Sequence, residues 1–266
     1  MLTVLVRGGL CNRMRATASA WALARICGRA LCVQWNRSPD FNAGFESLFS
    51  VEGLPFEVRE GRALSFAARA GVRAATTLKR LRGVSVLDEP ATEPGVFRVE
   101  SVMEIAPDRD VYIVTNSRLL DAPGMFGVFR PSEQVSARLE PLTPRLRRSV
   151  GVHVRRTDNR RASEVSTNAR FIECMTLECE RGEDTEFFVS SDCPRAVEDL
   201  RRTFGDRVWE YSKRAYSRDD PIALIDAVVD LAALSSCRRI IGSHWSSFTD
   251  TAAAWRGTPL VIAGHP

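Results

Sequence analysis

Residues 1–35 read MLTVLVRGGLCNRMRATASAWALARICGRALCVQW. The apolar run at 2–6 predicts a strand that ends at a glycine-rich turn. From 13 to 27, small and apolar side chains recur at the spacing of one helical face, and Gly28 then stops the helix. Residues 30–35 predict the next strand. A strand, a helix and a second strand in this order indicate a parallel sheet, so we expect an α/β fold.

The second half of the chain continues the alternation. Strands are predicted at 149–154, 186–190, 207–211, 239–241 and 259–262. Helices are predicted between them, at 169–181, 194–204, 221–237 and 247–255. Five strands alternating with helices indicate a doubly wound domain, which binds ligands at the carboxyl ends of its strands.

The region from 40 to 148 is less regular. Residues 41–49 predict a loop anchored by aromatic side chains, 64–82 a basic helix, and 111–115 a strand. Prolines with arginines between them mark a connection between domains at 131–144. A chain of 266 residues accommodates two α/β domains, and we expect them at 1–148 and 149–266.

Composition narrows the class of protein. Apolar residues make up 44% and charged residues 26%, with a formal net charge of +4, as in an ordinary soluble globular protein. No apolar run reaches the length of a membrane span and the N-terminus lacks a secretory signal, so we expect a cytoplasmic location. Seven scattered cysteines without a CxxC pair predict reduced thiols, and three histidines without ligand spacing predict no metal site.

Arginine supplies nearly all of the positive charge, since Lys79 and Lys213 are the only lysines. A phosphate site would therefore depend on guanidinium groups or backbone amides, and a P-loop nucleotidase is excluded. Basic and acidic residues alternate along the chain, which argues against a nucleic-acid partner.

The first segment that could bind a ligand is the turn at 7–13, RGGLCNR. Glycines such as Gly9 let a backbone approach a ligand closely, and the helix N-terminus that follows favours an anion. Asn12 and Arg13 lie at the start of that helix. The alternative interpretation is a plain structural turn, because the pattern is not GxGxxG.

The second segment, HVRRTD at 153–158, follows a predicted buried strand. Two adjacent arginines at a strand end, Arg155 and Arg156, need carboxylate or phosphate partners. The alternative is a surface pair that binds Asp158. The third segment, SSD at 190–192, also ends a strand, and Asp192 there either caps the following helix or holds a ribose hydroxyl.

The fourth segment runs from Asp226 to Thr249. Asp226 and Asp230 are four residues apart on the predicted helix, so they share a face and must be solvated or specifically engaged. After the next strand, Ser246 and Ser247 begin a helix whose amides form a second anion site. The alternative is a simple serine N-cap.

Several of these segments resemble one enzyme superfamily. GVHVRRTD at 151–158 resembles the HxRRxD segment of the α-1,6-fucosyltransferases, and VDLAALSSCRRIIGSHWSSFTDTAA at 229–253 is similar to a segment shared with the protein O-fucosyltransferases. FFVSSD at 187–192 and GGLCNRMR at 8–15 resemble two further family segments, in the family's order. Cys11 departs from the usual glycine of the opening loop.

The resemblance implies a GT-B fold, in which two Rossmann-like domains face a cleft and the C-terminal one binds most of the donor. It implies an inverting, metal-independent transfer of a sugar, L-fucose, from a GDP-sugar to an acceptor hydroxyl. The alternatives are another GDP-sugar or a non-catalytic GDP-sugar-binding protein. GDP-sugar is a co-substrate, no cofactor is expected, and the acceptor is an unidentified glycan, metabolite or peptide.

The resemblance also assigns roles. Arg155 matches the arginine that holds the donor β-phosphate, His153 a residue near the ribose and base, and Asp230 the carboxylate that reads guanine. The other predicted donor-binding residues are Gly9, Asn12, Arg13, Arg156, Asp192, Ser246, Ser247 and Phe248.

The catalytic base is not marked by a clear motif. Glu164 and Asp158 are the two candidates to deprotonate the acceptor hydroxyl. Asp108 and Asp110 formally satisfy a DxD metal pattern, to which we assign no metal.

Overall fold

The computed structural model describes residues 1–39, 41–62, 85–88, 100–106, 108–157, 160–182, 184–214 and 219–264. The chain divides into two compact units, one of Met1–Ser132 with Ser217–Leu224, the other of Glu133–Tyr216 with Ile225–Pro266. The division falls N-terminal to the expected boundary at 148, so residues 133–144 of the proline-rich connection cluster with the second unit. The predicted helix at 64–82 lies outside the described residues.

The first unit contains a five-stranded parallel sheet of order β3-β2-β1-β5-β4. Its strands are β1 (Leu2–Val6), β2 (Leu31–Arg37), β3 (Glu57–Arg62), β4 (Ser85–Asp88) and β5 (Val111–Thr115). Its described helices are α1 (Leu10–Ile26), α2 (Phe45–Leu48) and α3 (Glu100–Met103), with a 3₁₀ turn at Met125–Val128. All residues of β1 and β5 are buried, as a central parallel sheet requires, and the predicted opening strand, helix and strand are confirmed.

The predicted aromatic loop at 41–49 contains the short helix α2. Trp35 of β2 lies at the centre of an aromatic cluster. The ring centroids of Phe41, Phe45 and Phe49 are 5.6, 5.3 and 6.3 Å from the centroid of the Trp35 ring. The indole N–H of Trp35 donates to the carbonyl of Ala43 at 3.2 Å, which satisfies the buried polar atom. This cluster anchors the segment that follows β2.

The second unit contains a parallel sheet of order β10-β9-β6-β7-β8. Its strands are β6 (Val150–Val154), β7 (Phe187–Ser191), β8 (Val208–Trp209), β9 (Arg239–Gly242) and β10 (Leu260–Ile262). Its described helices are α4 (Glu133–Leu139), α5 (Thr143–Leu146), α6 (Arg160–Val165), α7 (Asn168–Arg181), α8 (Pro194–Phe204), α9 (Pro221–Ser236, of which the residues from Ile225 onward belong to this unit) and α10 (Ser247–Arg256), with 3₁₀ turns at Glu140–Leu142 and Gly205–Arg207. The predicted alternation of strands and helices is confirmed, with β8 shorter than expected.

The strand orders locate a switch point in each sheet. The chain moves from β6 through β7 to β8 on one side, and then returns to place β9 on the other side of β6. In the first unit, the chain moves from β1 through β2 to β3 on one side, and β5 lies on the other side of β1. Loops that leave adjacent strands in opposite directions open a crevice at their carboxyl ends, where doubly wound domains bind ligands. The segments that begin at Arg155 and Ser243 leave the second sheet at this point.

The cysteines and the possible membrane spans can also be examined in the structure. All seven cysteines lie within the described residues and remain thiols. In the part of the chain that the structure describes, no helix combines the length and apolar character needed to cross a membrane.

Candidate functional site

The carboxyl ends of β6 and β9 are joined by a buried serine. The backbone N–H of Arg155 donates to Ser243 Oγ at 2.8 Å, and the Ser243 hydroxyl donates to the carbonyl of His153 at 3.0 Å. Because Ser243 is fully buried, these bonds set the path of the chain as it leaves β6. The guanidinium of Arg155 is thereby placed at the switch point.

Asp192, at the end of β7, holds the same loop from the other side. Its carboxylate accepts from Arg156 N at 2.9 Å and Thr157 Oγ1 at 2.7 Å, and lies 3.3 Å from Arg155 Nε. Helix α8 begins after Cys193 without a side-chain cap, so the helix-cap alternative for Asp192 is not what the structure shows. Burial raises the pKa of Asp192, but the hydrogen bond from Thr157, the charge of Arg155 and the backbone amides together lower it by more. The net pKa is below the usual value, so the carboxylate stays ionised.

The two adjacent arginines have different partners. Arg156 donates from Nη2 to Asn168 Oδ1 at 2.7 Å, and its guanidinium lies 5.6 Å from the ring centre of Phe171. Burial lowers the pKa of Arg156, with Asp192 opposing. The Arg156 side chain therefore packs on α7, whereas Arg155 pairs with Asp192. Asp158, the partner in the alternative interpretation, lies outside the described residues.

His153 is buried within β6 and stacks on Phe248. The ring centroids are 4.8 Å apart at 23°, and Nδ1 lies 2.7 Å from Thr249 Oγ1. Burial, followed by the charge of Arg155, lowers the pKa of His153 to about 3. The imidazole is therefore neutral near neutral pH and acts as a hydrogen-bonding group rather than a cation.

We expect His153 to make the protein sensitive to acid. An unfolded histidine has a pKa near 6.5 and the folded one about 3, so between these values only the unfolded chain binds the proton and stability falls as the pH falls. From about pH 7 to about pH 5 the wild type should lose roughly 2 kcal/mol more unfolding free energy than His153→Gln. Denaturant titrations at both pH values measure this difference, and equal losses in the two proteins would contradict the assignment.

The start of α10 offers backbone amides at the same strand end. Ser246 is buried at the N-cap, and within the described residues its side chain forms no capping hydrogen bond. Trp245, immediately before it, is 62% exposed and has a φ of 49°, a conformation that L residues adopt at a cost. The predicted residues Ser247 and Phe248 follow in the first turn, half-buried. Amides at such a helix start favour an anion.

Gly242 permits the close approach of α10 to β9. A Cβ at Gly242 would lie inside van der Waals contact of Thr249 Cγ2. We expect Gly242→Ala to lower the unfolding free energy by about 1–3 kcal/mol through overpacking. Thr249→Ser deletes the clashing methyl but keeps the hydroxyl, so the double variant should recover most of the loss in a denaturant titration. An unchanged stability of Gly242→Ala would show that α10 can move away.

Both carboxylates on α9 are buried and engaged, as their shared face required. Asp226 accepts from Arg138 Nη1 at 2.8 Å, Tyr211 OH at 2.9 Å and Arg214 N at 2.7 Å. Burial, with Asp226, raises the pKa of Tyr211 to about 12, so the phenol remains a donor. Asp226 therefore fixes the segment after β8 to helix α9.

Asp230, one turn later, faces the end of β7. Its Oδ2 accepts from Ser190 Oγ at 2.8 Å and lies 2.7 Å from Lys213 Nζ, whereas its buried Oδ1 has no hydrogen-bond partner among the described residues. Burial raises the pKa of Asp230, and Lys213 opposes that effect. A buried acceptor without a partner is costly, so Oδ1 is a position where a ligand donor would be stabilised.

The glycine-rich turn belongs to the first unit. Gly8 has a φ of +80°, which favours glycine, and Gly9 is the N-cap of α1. Arg13 is buried, donates from Nε to the carbonyl of Gly8 at 2.8 Å, and stacks 4.3 Å from the centre of Phe41. Burial lowers the pKa of Arg13 to about 10. Asn12 Oδ1 accepts from Arg15 at 2.8 Å, so this turn is internally organised.

The remaining candidates are Glu164, Asp158 and the two aspartates of the DxD pattern. Glu164 is exposed on the short helix α6, and Asp158 lies outside the described residues. Asp110 binds the N-terminal ammonium at 2.8 Å, at the amino ends of the strands and opposite the glycine-rich turn. Among the described residues, no group of three or more His, Cys, Asp or Glu side chains could hold a metal.

Three residues of this site had no predicted role. Ser243 and Thr249 organise the strand ends through hydroxyl groups, and no sequence pattern distinguishes them from other serines and threonines. Lys213 pairs with Asp230, and its only sequence signal was its rarity in an arginine-rich chain.

No protein-family model matches the sequence, and no curated protein matches it. Several solved structures do match in fold. NodZ α-1,6-fucosyltransferase soaked with GDP-fucose is 20% identical, with 96% of this chain and 92% of NodZ covered and a TM-score of 0.62. A variant of Arabidopsis thaliana FUT1 in complex with GDP is 13% identical, with coverages of 98% and 69% and a TM-score of 0.65.

POFUT1 in complex with GDP is 12% identical, with 99% of each chain covered and a TM-score of 0.59. These identities are low, and the agreement concerns the arrangement of the chain over nearly its whole length. The α/β class and the GT-B type expected from the resemblance are confirmed at the level of the fold. The chain has the fold that NodZ, FUT1 and POFUT1 share.

Proposed function

We propose that this chain is an inverting glycosyltransferase that moves a sugar, L-fucose, from a GDP-sugar to an acceptor hydroxyl. The end of β7 carries this proposal. Ser190 contacts Asp230, the carbonyl of Ser191 contacts Lys213, and Asp192 contacts Arg155. Three consecutive residues thus connect a carboxylate that suits guanine with a guanidinium that suits a phosphate.

Guanine is the base that matches Asp230. Its N1–H and 2-amino group are adjacent donors, and a carboxylate accepts from both, whereas adenine and uracil do not present this pair. The buried Oδ1, which lacks a partner among the described residues, supports Asp230 as the acceptor. In the same scheme the neutral His153, stacked on Phe248, lies near the ribose and base.

The diphosphate would be held by charge and by backbone amides. Arg155 binds the β-phosphate, while the amides at Ser246, Ser247 and Phe248 receive negative charge at the start of α10. Asp192 and Arg156 fix the loop that carries Arg155. Gly9, Asn12 and Arg13, in the turn of the first unit, remain predicted donor-binding residues.

In the reaction, the acceptor oxygen attacks the anomeric carbon and the bond from that carbon to the β-phosphate oxygen breaks. The electron pair stays on GDP, where Arg155 and the α10 amides stabilise the developing charge. The hydroxyl proton passes to a carboxylate, for which Glu164 and Asp158 are the candidates. Attack opposite the leaving group inverts the anomeric carbon. We propose that no metal is needed, because Arg155 and the amides supply the required charge.

The structural neighbours support a GDP-sugar donor, since NodZ was soaked with GDP-fucose and FUT1 and POFUT1 hold GDP. We assign the donor to the second unit and the acceptor, a glycan, metabolite or peptide, to the first. We place the protein in the cytoplasm, where its seven thiols would remain reduced.

Calorimetric titration of GDP, UDP and ADP with EDTA present tests this function. We expect GDP alone to bind tightly and EDTA to have no effect. Binding of UDP, or a metal requirement for GDP, would overturn the donor assignment. Turnover with GDP-fucose compared with GDP-mannose then tests the sugar, and GDP binding without turnover on any acceptor would indicate a binding protein.

A further inference from the structure

A buried lysine lies beside the carboxylate that we assign to guanine. Lys213 follows β8, and its ammonium lies 2.7 Å from Asp230 Oδ2 and donates to the carbonyl of Ser191 at 2.7 Å. The two side chains are 12% and 3% exposed. A buried ion pair is costly to form, and removing one of its two partners is more costly still, because the other charge is then left buried without a counter-charge. We therefore treat the pairing of Lys213 with Asp230 as specific.

The lysine occupies one side of the carboxylate only. Lys213 and Ser190 both bind Oδ2 of Asp230, and Oδ1 has no partner among the described residues. A carboxylate oxygen accepts through two lone pairs. The arrangement therefore leaves Oδ1, with both of its lone pairs, for donors on a ligand.

Neighbouring charges make the ammonium necessary. Asp226, one turn earlier on α9, has its own cation, since Arg138 pairs with it at 2.8 Å. The charge of Asp230 is balanced directly by Lys213. Burial raises the pKa of Asp230, with Lys213 and Ser190 opposing. A protonated carboxyl presents a donor and repels one of the two guanine donors, so recognition requires the ionised form.

The position of Lys213 is determined by its own segment. On either side of it, the Tyr211 hydroxyl and the Arg214 backbone N–H both bind Asp226. The segment 211–214 is therefore attached to α9 at two points, and the ammonium between them is held over Asp230.

We propose that Lys213 is a positioning residue for guanine: it binds Oδ2 of Asp230, balances the charge of the carboxylate and reserves Oδ1 for guanine N1–H and the 2-amino group. The inference rests on the proposed GDP-sugar function. Lys213 does not touch the nucleotide in this scheme and acts through Asp230. It would make a lysine in an arginine-rich chain a determinant of base selectivity.

Titrations with GDP and with IDP, whose base lacks the 2-amino group, test this role. We expect Lys213→Met to bind GDP about tenfold more weakly or worse, with a GDP-to-IDP affinity ratio that falls toward one. Lys213→Arg, which restores the charge, should recover most of that ratio. Arg138→Met is the matched control, because it removes a cation from the neighbouring Asp226 and should leave the ratio unchanged.

The outcomes separate the two proposals. A wild type without preference for GDP over UDP and ADP overturns the proposed function. A wild type with that preference, together with an unchanged GDP-to-IDP ratio in Lys213→Met, overturns the role of Lys213 alone. The same conclusion follows if Arg138→Met lowers the ratio equally. If Lys213→Met does not fold, Lys213→Gln, which keeps a donor for Ser191 without the charge, is measured with the same expectations.

Discussion

Replacing Arg155 by alanine should lower the rate of GDP release from GDP-fucose by roughly a hundredfold or more, by analogy with the loss of one preorganised donor to a developing oxyanion. Two contacts hold Arg155 at the end of β6. Asp192 pairs with its Nε at 3.3 Å, and Ser243 fixes its backbone N–H at 2.8 Å. The lost stabilisation is therefore not replaced by a flexible neighbour, since the adjacent Arg156 is directed to Asn168.

The measurement compares turnover and GDP affinity of Arg155→Ala with those of the wild type. Arg202→Ala is the matched control, because Arg202 is an exposed arginine on α8 paired with Asp199 at 3.2 Å, and its loss should change neither quantity. A larger effect on turnover than on GDP affinity would agree with charge stabilisation in the transition state. Near-normal turnover in Arg155→Ala would remove Arg155 from the reaction and with it the proposed mechanism.

Replacing Asp230 by asparagine should weaken GDP binding about tenfold to a hundredfold, since hydrogen bonds to a charged group contribute about 1.5–3 kcal/mol. The amide has nearly the same shape as the carboxylate. It carries no charge, however, and offers its own N–H donors where guanine requires acceptors. Base selectivity should fall together with affinity, so that GDP and IDP bind almost equally.

Calorimetric titration of both nucleotides into Asp230→Asn provides the test. The substitution also leaves the Lys213 ammonium without its carboxylate partner, so a denaturant titration must show that the variant folds before affinities are compared. Undiminished discrimination between GDP and IDP in the folded variant would mean that another group reads the base. In that case the role of Lys213 would be lost as well.

Arg155→Ala and Asp230→Asn test opposite ends of the proposed nucleotide, the β-phosphate and the guanine base. Arg155→Ala should affect turnover most and leave base preference intact, whereas Asp230→Asn should affect base preference most. A variant set in which both changes produced the same loss of GDP and IDP binding would indicate general disruption of the second unit. Separate effects would support one nucleotide lying along the ends of β6, β7 and β9.

Much of the fold could be predicted because it depends on local patterns. The helix predicted at 194–204 is observed at Pro194–Phe204, where a proline at the first turn and Gly205 with a φ of +59° mark its ends. The strand at 149–154 is observed at Val150–Val154, since an apolar run bounded by polar residues is typical of a buried strand. By contrast, β8 has only two residues, Val208 and Trp209, which pair with Phe187 and Phe188 at the start of β7.

By itself the amino-acid sequence determined the alternation of strands and helices, the parallel sheets, and the strand ends at which polar side chains collect, because these follow from periodicity and from turn residues near one another in the chain. The tertiary structure decided the strand orders and the partners of each polar group. Asp192 binds the Arg155 loop, and Lys213 binds Asp230, across separations that no local pattern encodes. Which buried charge meets which partner depends on how the elements pack, since burial makes an unmatched charge costly and so selects a specific pairing.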